Sequence, residues 1–62
     1  FPRRLDAELV DVSASGFRCR HRCGELRTGQ AVRFRHPAAE GEARVMWTRI
    51  AASGIESGFL LL

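Results

Sequence analysis

Between Val10 and Arg20 the chain reads VDVSASGFRCR, and three of its residues are chemically suited to holding a ligand at a turn. The carboxylate of Asp11 can accept two hydrogen bonds, as from the N–H edge of a guanine, and the Ser13 hydroxyl can donate to a phosphate or accept from a base. Gly16 permits positive φ and lets a ligand come close to the backbone. The same letters also spell an Asx or Ser turn, in which Asp11 and Ser13 bond their own main chain. Beyond the turn, Phe17, Cys19 and His21 alternate with Arg18, Arg20 and Arg22, the period of a half-buried strand. A polar turn therefore sits at a strand junction beside a row of arginines.

Other clusters have the letters of chemistry without its geometry. Cys19, His21 and Cys23, with His36 further on, suggest a zinc site. On an extended strand, however, alternate Cα atoms lie about 6.5 to 7 Å apart, too far to converge on one metal, and no CxxC pair is present. No metal is expected. A disulfide between Cys19 and Cys23 is awkward on a strand, so both cysteines are expected as thiols in the core or at an edge. Ser13, His21 and Asp11 spell a catalytic triad, but a 62-residue chain leaves little room for an oxyanion hole and a water-excluding pocket. The expectation is a binding domain with no catalytic residues and no cofactor, not an enzyme.

The elements that would position the turn are strands. Val32 and Phe34 alternate with Arg33 and Arg35, and Ala43, Val45 and Trp47 alternate with Arg44, Met46 and Thr48. Leu5 to Val12 changes face between Leu9 and Val10, which predicts a strand that either carries a bulge or is exposed on neither side. Gly54 to Leu62 reads as a last strand, bent at Gly58. Turn residues fall at Ser13 to Gly16, Cys23 to Gly29, His36 to Gly41 and Ala51 to Gly54, a spacing that suits a meander. No window carries helical periodicity. These signals predict an all-β chain, one domain over residues 1–62 with 1–4 as an N-terminal arm, in which four or five antiparallel strands curl into a small barrel. A domain of this size buries only about 60% of its unfolded surface, so the core must be thin. Phe17, Phe34 and Trp47 are expected inside, with Trp47 as the largest anchor.

All ten basic residues are arginine, and against seven acids they leave a net charge of +3. Arginine's planar fork grips phosphate or a guanine edge bidentately, so anionic partners are favoured. Arg18, Arg20 and Arg22 with Arg33 and Arg35 are expected to form a basic strip on neighbouring strands beside the turn. The competing reading is a solvated face balanced by Glu25, Glu40 and Glu42. No apolar run is long enough to cross a bilayer, so no membrane association is expected. Nucleic acid is disfavoured as a partner, because exposed aromatics do not interleave with the arginines.

Taken together, D-x-S-x-x-G at Asp11, Ser13 and Gly16, the V-x-W strand at Val45 to Trp47 and the GIESGF stretch at Gly54 to Phe59 resemble the PilZ domain family of bacteria. The resemblance runs from about Leu9 to Leu61. It implies a PilZ-like β-barrel, here without the family's first strand and C-terminal helix, in a bacterial, cytoplasmic signalling protein. The implied ligand is cyclic di-GMP, bound by Asp11, Ser13 and Gly16 with Arg3 and Arg4 supplying cations. The chain departs from the family in its arginine motif: RxxxR would need arginines at positions occupied by Ala7 and Glu8. Two readings are therefore open. One is a cyclic di-GMP receiver in which Arg3 and Arg4 begin the arginine loop and supply phosphate or guanine contacts. The other is a degenerate PilZ domain that binds no nucleotide and acts as a protein-interaction module, pairing with a partner or with itself through an open β edge.

Overall fold

Alternating apolar and charged residues drive five segments into strands: β1 Glu8–Val12, β2 Gly16–His21, β3 Ala31–His36, β4 Ala39–Ala51 and β5 Gly54–Leu61. The computed structural model describes residues 6–62; Arg3 and Arg4, assigned above to the ligand, lie outside the described residues. The fold is all-β, as expected, and no helix among the described residues is long and apolar enough to cross a membrane.

All pairings are antiparallel, in the order β1-β2-β5-β4-β3. The expected meander holds from β3 to β5, but the chain reaches it by a crossover. Residues 22–30 run past two strands to the far edge, so β5 returns between β4 and β2. The sheet curls into a half-barrel that brings β2 and β3 together across the inner face: the Phe17 ring, stacked at 4.9 Å on Phe59 of its neighbour β5, meets Phe34 at 5.0 Å. The β3–β4 turn is tighter than the sequence suggests. Only Pro37 and Ala38 separate the strands, and the Ala38 N–H donates to His36 Nδ1 at 3.0 Å. Pro37 sits where its missing N–H costs no ladder bond.

Two bulges decide which side chains face inward. One falls between Leu9 and Asp11, where the change of face predicts it. The other, between Val45 and Trp47, inserts Met46 and reverses the alternation of β4. Trp47 consequently leaves the core, against expectation: it pairs with Gly58 on the outer face and is 38% exposed. Among the described residues the fully buried apolar side chains are the small Ala43 and Val45, so the interior is thin.

Part of that interior is polar and satisfied. The Cys23 N–H donates to His21 Nδ1 at 3.1 Å, which leaves Nε2 to donate to Ser57 Oγ at 2.7 Å, and the Ser57 and Thr48 hydroxyls share a hydrogen bond at 2.7 Å. His21 is 4% exposed, and burial pushes its pKa below the usual histidine value.

Gly16 is a glycine for a different reason than the sequence suggests. The positive-φ glycines among the described residues are Gly29 and Gly54. At Gly16 a Cβ would run into the carbonyl oxygen of Phe59, so the small residue lets β2 approach β5.

Two outcomes are expected. Gly16→Ala forces two backbones apart and lowers stability by about 1 to 3 kcal/mol, read from urea denaturation. For His21, the unfolded chain takes up a proton near pH 6.5 and the folded chain only at lower pH, so its contribution is present above about 6.5 and lost as pH falls through the depressed value. Unfolding midpoints measured from about pH 7.5 downward should fall, and His21→Gln should flatten that slope.

Candidate functional site

The bulges build the outer face in cross-strand rows. In the first, Asp11 on β1 lies opposite Arg18 on β2, Arg18 opposite Gly58 on β5, and Gly58 opposite Trp47 on β4. In the second, Glu8, Arg20, Glu56 and Arg49 follow one another across the same four strands. Without the extra residue at Val10, Asp11 would face the interior. Without Met46, Trp47 would.

The first row opens into a shallow concavity of about 410 Å³, lined by Asp11, Ser13, Ser15, Arg18, Met46 and Trp47 around Gly58. Gly58 makes room for it: a Cβ there would overlap the Trp47 indole, so the ring lies flat against the bare backbone of β5. Arg18 Nη2 donates to Asp11 Oδ2 at 2.6 Å, and the two side chains are 36% and 58% exposed. An exposed pair of this kind contributes about 0 to 1 kcal/mol. Arg18 Nε is shielded from solvent and has no hydrogen-bond partner, so the guanidinium fork is only partly used.

The turn itself divides between the two readings of its letters. Ser13 bonds its own main chain, as a Ser turn requires: its N–H donates to the Gly16 carbonyl at 2.8 Å and its hydroxyl to the same oxygen at 3.4 Å. That second bond is long, and the hydroxyl stays on the rim of the concavity. Asp11 instead turns outward to Arg18. Asp11, Ser13 and Gly16 thus come together as expected, with Gly16 contributing backbone packing.

The second row holds Trp47 in place. Arg49 donates to Glu56 Oε1 through Nε at 3.2 Å and Nη2 at 2.9 Å, while its guanidinium lies 5.6 Å from the centre of the Trp47 ring. Arg20 bridges Glu56 at 3.5 Å and Glu8 at 3.1 Å. Glu56 is 7% exposed beneath these arginines. The Arg49 hydrogen bond holds its carboxyl below the usual glutamate value, with the charges of Arg49, Arg20 and Arg18 in support and burial opposing.

The continuous basic strip expected from Arg18, Arg20, Arg22, Arg33 and Arg35 is not formed. β5 and β4 lie between the two sets, and Arg33 and Arg35 face Glu42 and Glu40 at 3.8 and 4.0 Å, as the solvated-face reading has it. Cys19 and His21 share the inner face, but both ring nitrogens of His21 are occupied, and burial raises the Cys19 pKa. Both cysteines are free thiols, and among the described residues no three His, Cys, Asp or Glu side chains converge on a metal-sized point.

Trp47 and the pairing of Arg18 with Asp11 were not legible as site features. The available signal was the apolar run Val45-Met46-Trp47, which breaks strict alternation as Leu9-Val10 does, together with a glycine in the facing strand. No protein-family profile, characterised protein or solved structure matches the chain.

Glu56→Gln is expected to release Arg49 from beside Trp47. The Glu56 contribution to stability is present above about pH 4.5 and lost as pH falls through its lowered value. Unfolding monitored by Trp47 fluorescence from pH 7 to 3 should show a steeper acid limb for the wild type than for the variant.

Proposed function

We propose that the chain is a PilZ-like receiver domain of bacterial second-messenger signalling and binds cyclic di-GMP in the outer-face concavity. The observation that carries this reading is that Asp11, Ser13, Arg18 and Trp47, drawn from three strands and a turn, line one open depression instead of being consumed by the interior. Each supplies something a guanine dinucleotide needs. Asp11 accepts from the N–H edge of the base, Ser13 donates to phosphate, and Trp47 offers a ring on which a base stacks, a contact worth about 1 to 3 kcal/mol. Gly16 sets the turn against β5 and so holds Asp11 and Ser13 at the rim. Arg3 and Arg4 contribute the cations that the ligand's two phosphates require. Binding presents a new surface to a partner in the cytoplasm.

A second reading, a PilZ-like module that binds protein and no nucleotide, is favoured by one feature. Among the described residues β1 and β3 are the edges of the sheet, and Val12 at the end of β1 is 66% exposed.

Isothermal titration with cyclic di-GMP separates the two. The receiver reading predicts saturable heat, with affinity reduced at least about tenfold in Asp11→Ala and in Arg4→Ala. Absence of heat up to high micromolar ligand, with concentration-dependent association in sedimentation, would instead establish the interaction module.

A further inference from the structure

We propose that copies of this chain join edge to edge, β1 of one running parallel to β3 of the next, with the acids of the first strand set against the arginines of the second. The inference rests on the open-edge interaction reading and names the partner as a second copy of the chain. It does not depend on nucleotide binding.

The two edges carry opposite charge. From Asp6 to Val12 the chain holds Asp6, Glu8 and Asp11 and no cation, whereas β3 holds Arg33 and Arg35 and no acid. Among the described residues neither strand has a neighbour on its outer side, so its edge N–H and C=O groups are open to another strand. Glu8, Asp11, Arg33 and Arg35 are all more than half exposed. Arg33 and Arg35 approach the carboxylates of their own chain, Glu42 and Glu40, only to 3.8 and 4.0 Å, and each guanidinium keeps donors for a second acid.

The geometry fits as well as the charge. Antiparallel pairings lead from β1 through β2, β5 and β4 to β3, so the two edge strands run in the same direction. A copy that continues the sheet with its inner face on the same side therefore pairs them in parallel. The bulge at Val10 sets Glu8 and Asp11 opposite Arg20 and Arg18, alternate positions of β2, and Arg33 and Arg35 are alternate positions of β3. Glu8 then stands beside Arg33 of the second copy and Asp11 beside its Arg35, while Leu9 falls beside Phe34 on the inner face. The junction prolongs an order already present: Glu42, Arg33, Glu8, Arg20, Glu56 and Arg49 alternate in sign across it. Two β1 edges, or two β3 edges, would instead set acid against acid or arginine against arginine, which is destabilising. Each edge thus rejects itself and accepts the other, a head-to-tail contact that every copy can make twice.

The test is sedimentation equilibrium of the whole chain at concentrations up to about 1 mM. The wild type is expected to associate, and to do so several-fold more weakly when salt is raised from about 0.1 M to about 1 M. Glu8→Arg alone and Arg33→Glu alone are each expected to lower the association constant about three- to tenfold, because an attractive cross-strand pair becomes a repulsive one. An equimolar mixture of the two variants is expected to regain wild-type affinity: the reversed position of each meets its complement on the other, and their second contact is the wild-type one. Recovery in the mixture also shows that both variants are folded. A chain that stays monomeric up to about 1 mM carries these charges only to guard its edges, and the proposal falls. Association that ignores salt and both reversals, or a mixture no tighter than its components, places the contact on another surface; the edge proposal then falls while the interaction reading stands.

Discussion

A strand has two faces and a period of two, so one inserted residue exchanges them. The outer face of this half-barrel depends on two such insertions, Val10 in β1 and Met46 in β4. Each lies in the middle of its strand, and each turns the following residues over. Downstream of Val10, Asp11 stands beside Arg18 on the outer face, and Val12 pairs with Phe17 on the opposite face, 66% exposed at the sheet edge. Downstream of Met46, Trp47 and Arg49 go out, while Thr48 goes in to meet Ser57. The same geometric device thus assembles the candidate site and the polar half of the interior.

β5 converts this exchange of faces into a site. Its sequence Glu56-Ser57-Gly58 is buried although none of the three is apolar, because the strand is paired on both sides and covered on both faces. Each residue has a specific covering: Glu56 lies under Arg20 and Arg49, Ser57 is bonded to His21 and Thr48, and Gly58 lies under the indole. Burial of polar groups is tolerable when each finds a partner, and here they do. The apolar core is correspondingly small, with Ala43 and Val45 fully enclosed and a cluster of three phenylalanines between the curled strands.

Electrostatics on the outer face is local. Although arginines outnumber acids in the chain, those in β2 and β3 face carboxylates across the sheet: Arg18 with Asp11, Arg20 with Glu8 and Glu56, Arg33 with Glu42 and Arg35 with Glu40. The result is alternating charge and no single basic field.

Strand identity, the all-β class and the bulge at Val10 follow from local chemistry: alternating side chains must segregate between water and interior, and consecutive apolar residues break that alternation visibly. The turn at Asp11, Ser13 and Gly16 is equally legible, because its residue types have few local alternatives. The partner of each strand is not local. Whether β5 lies beside β2, whether Arg33 stands next to Arg18 and what Gly58 faces depend on which strands the curled sheet brings together over long sequence separations. The Val45-Met46-Trp47 run shows the limit most plainly. Its three consecutive apolar letters do not say which of them faces inward, and the match of Trp47 to a glycine on the neighbouring strand, where the indole has room, places the ring on the outer face.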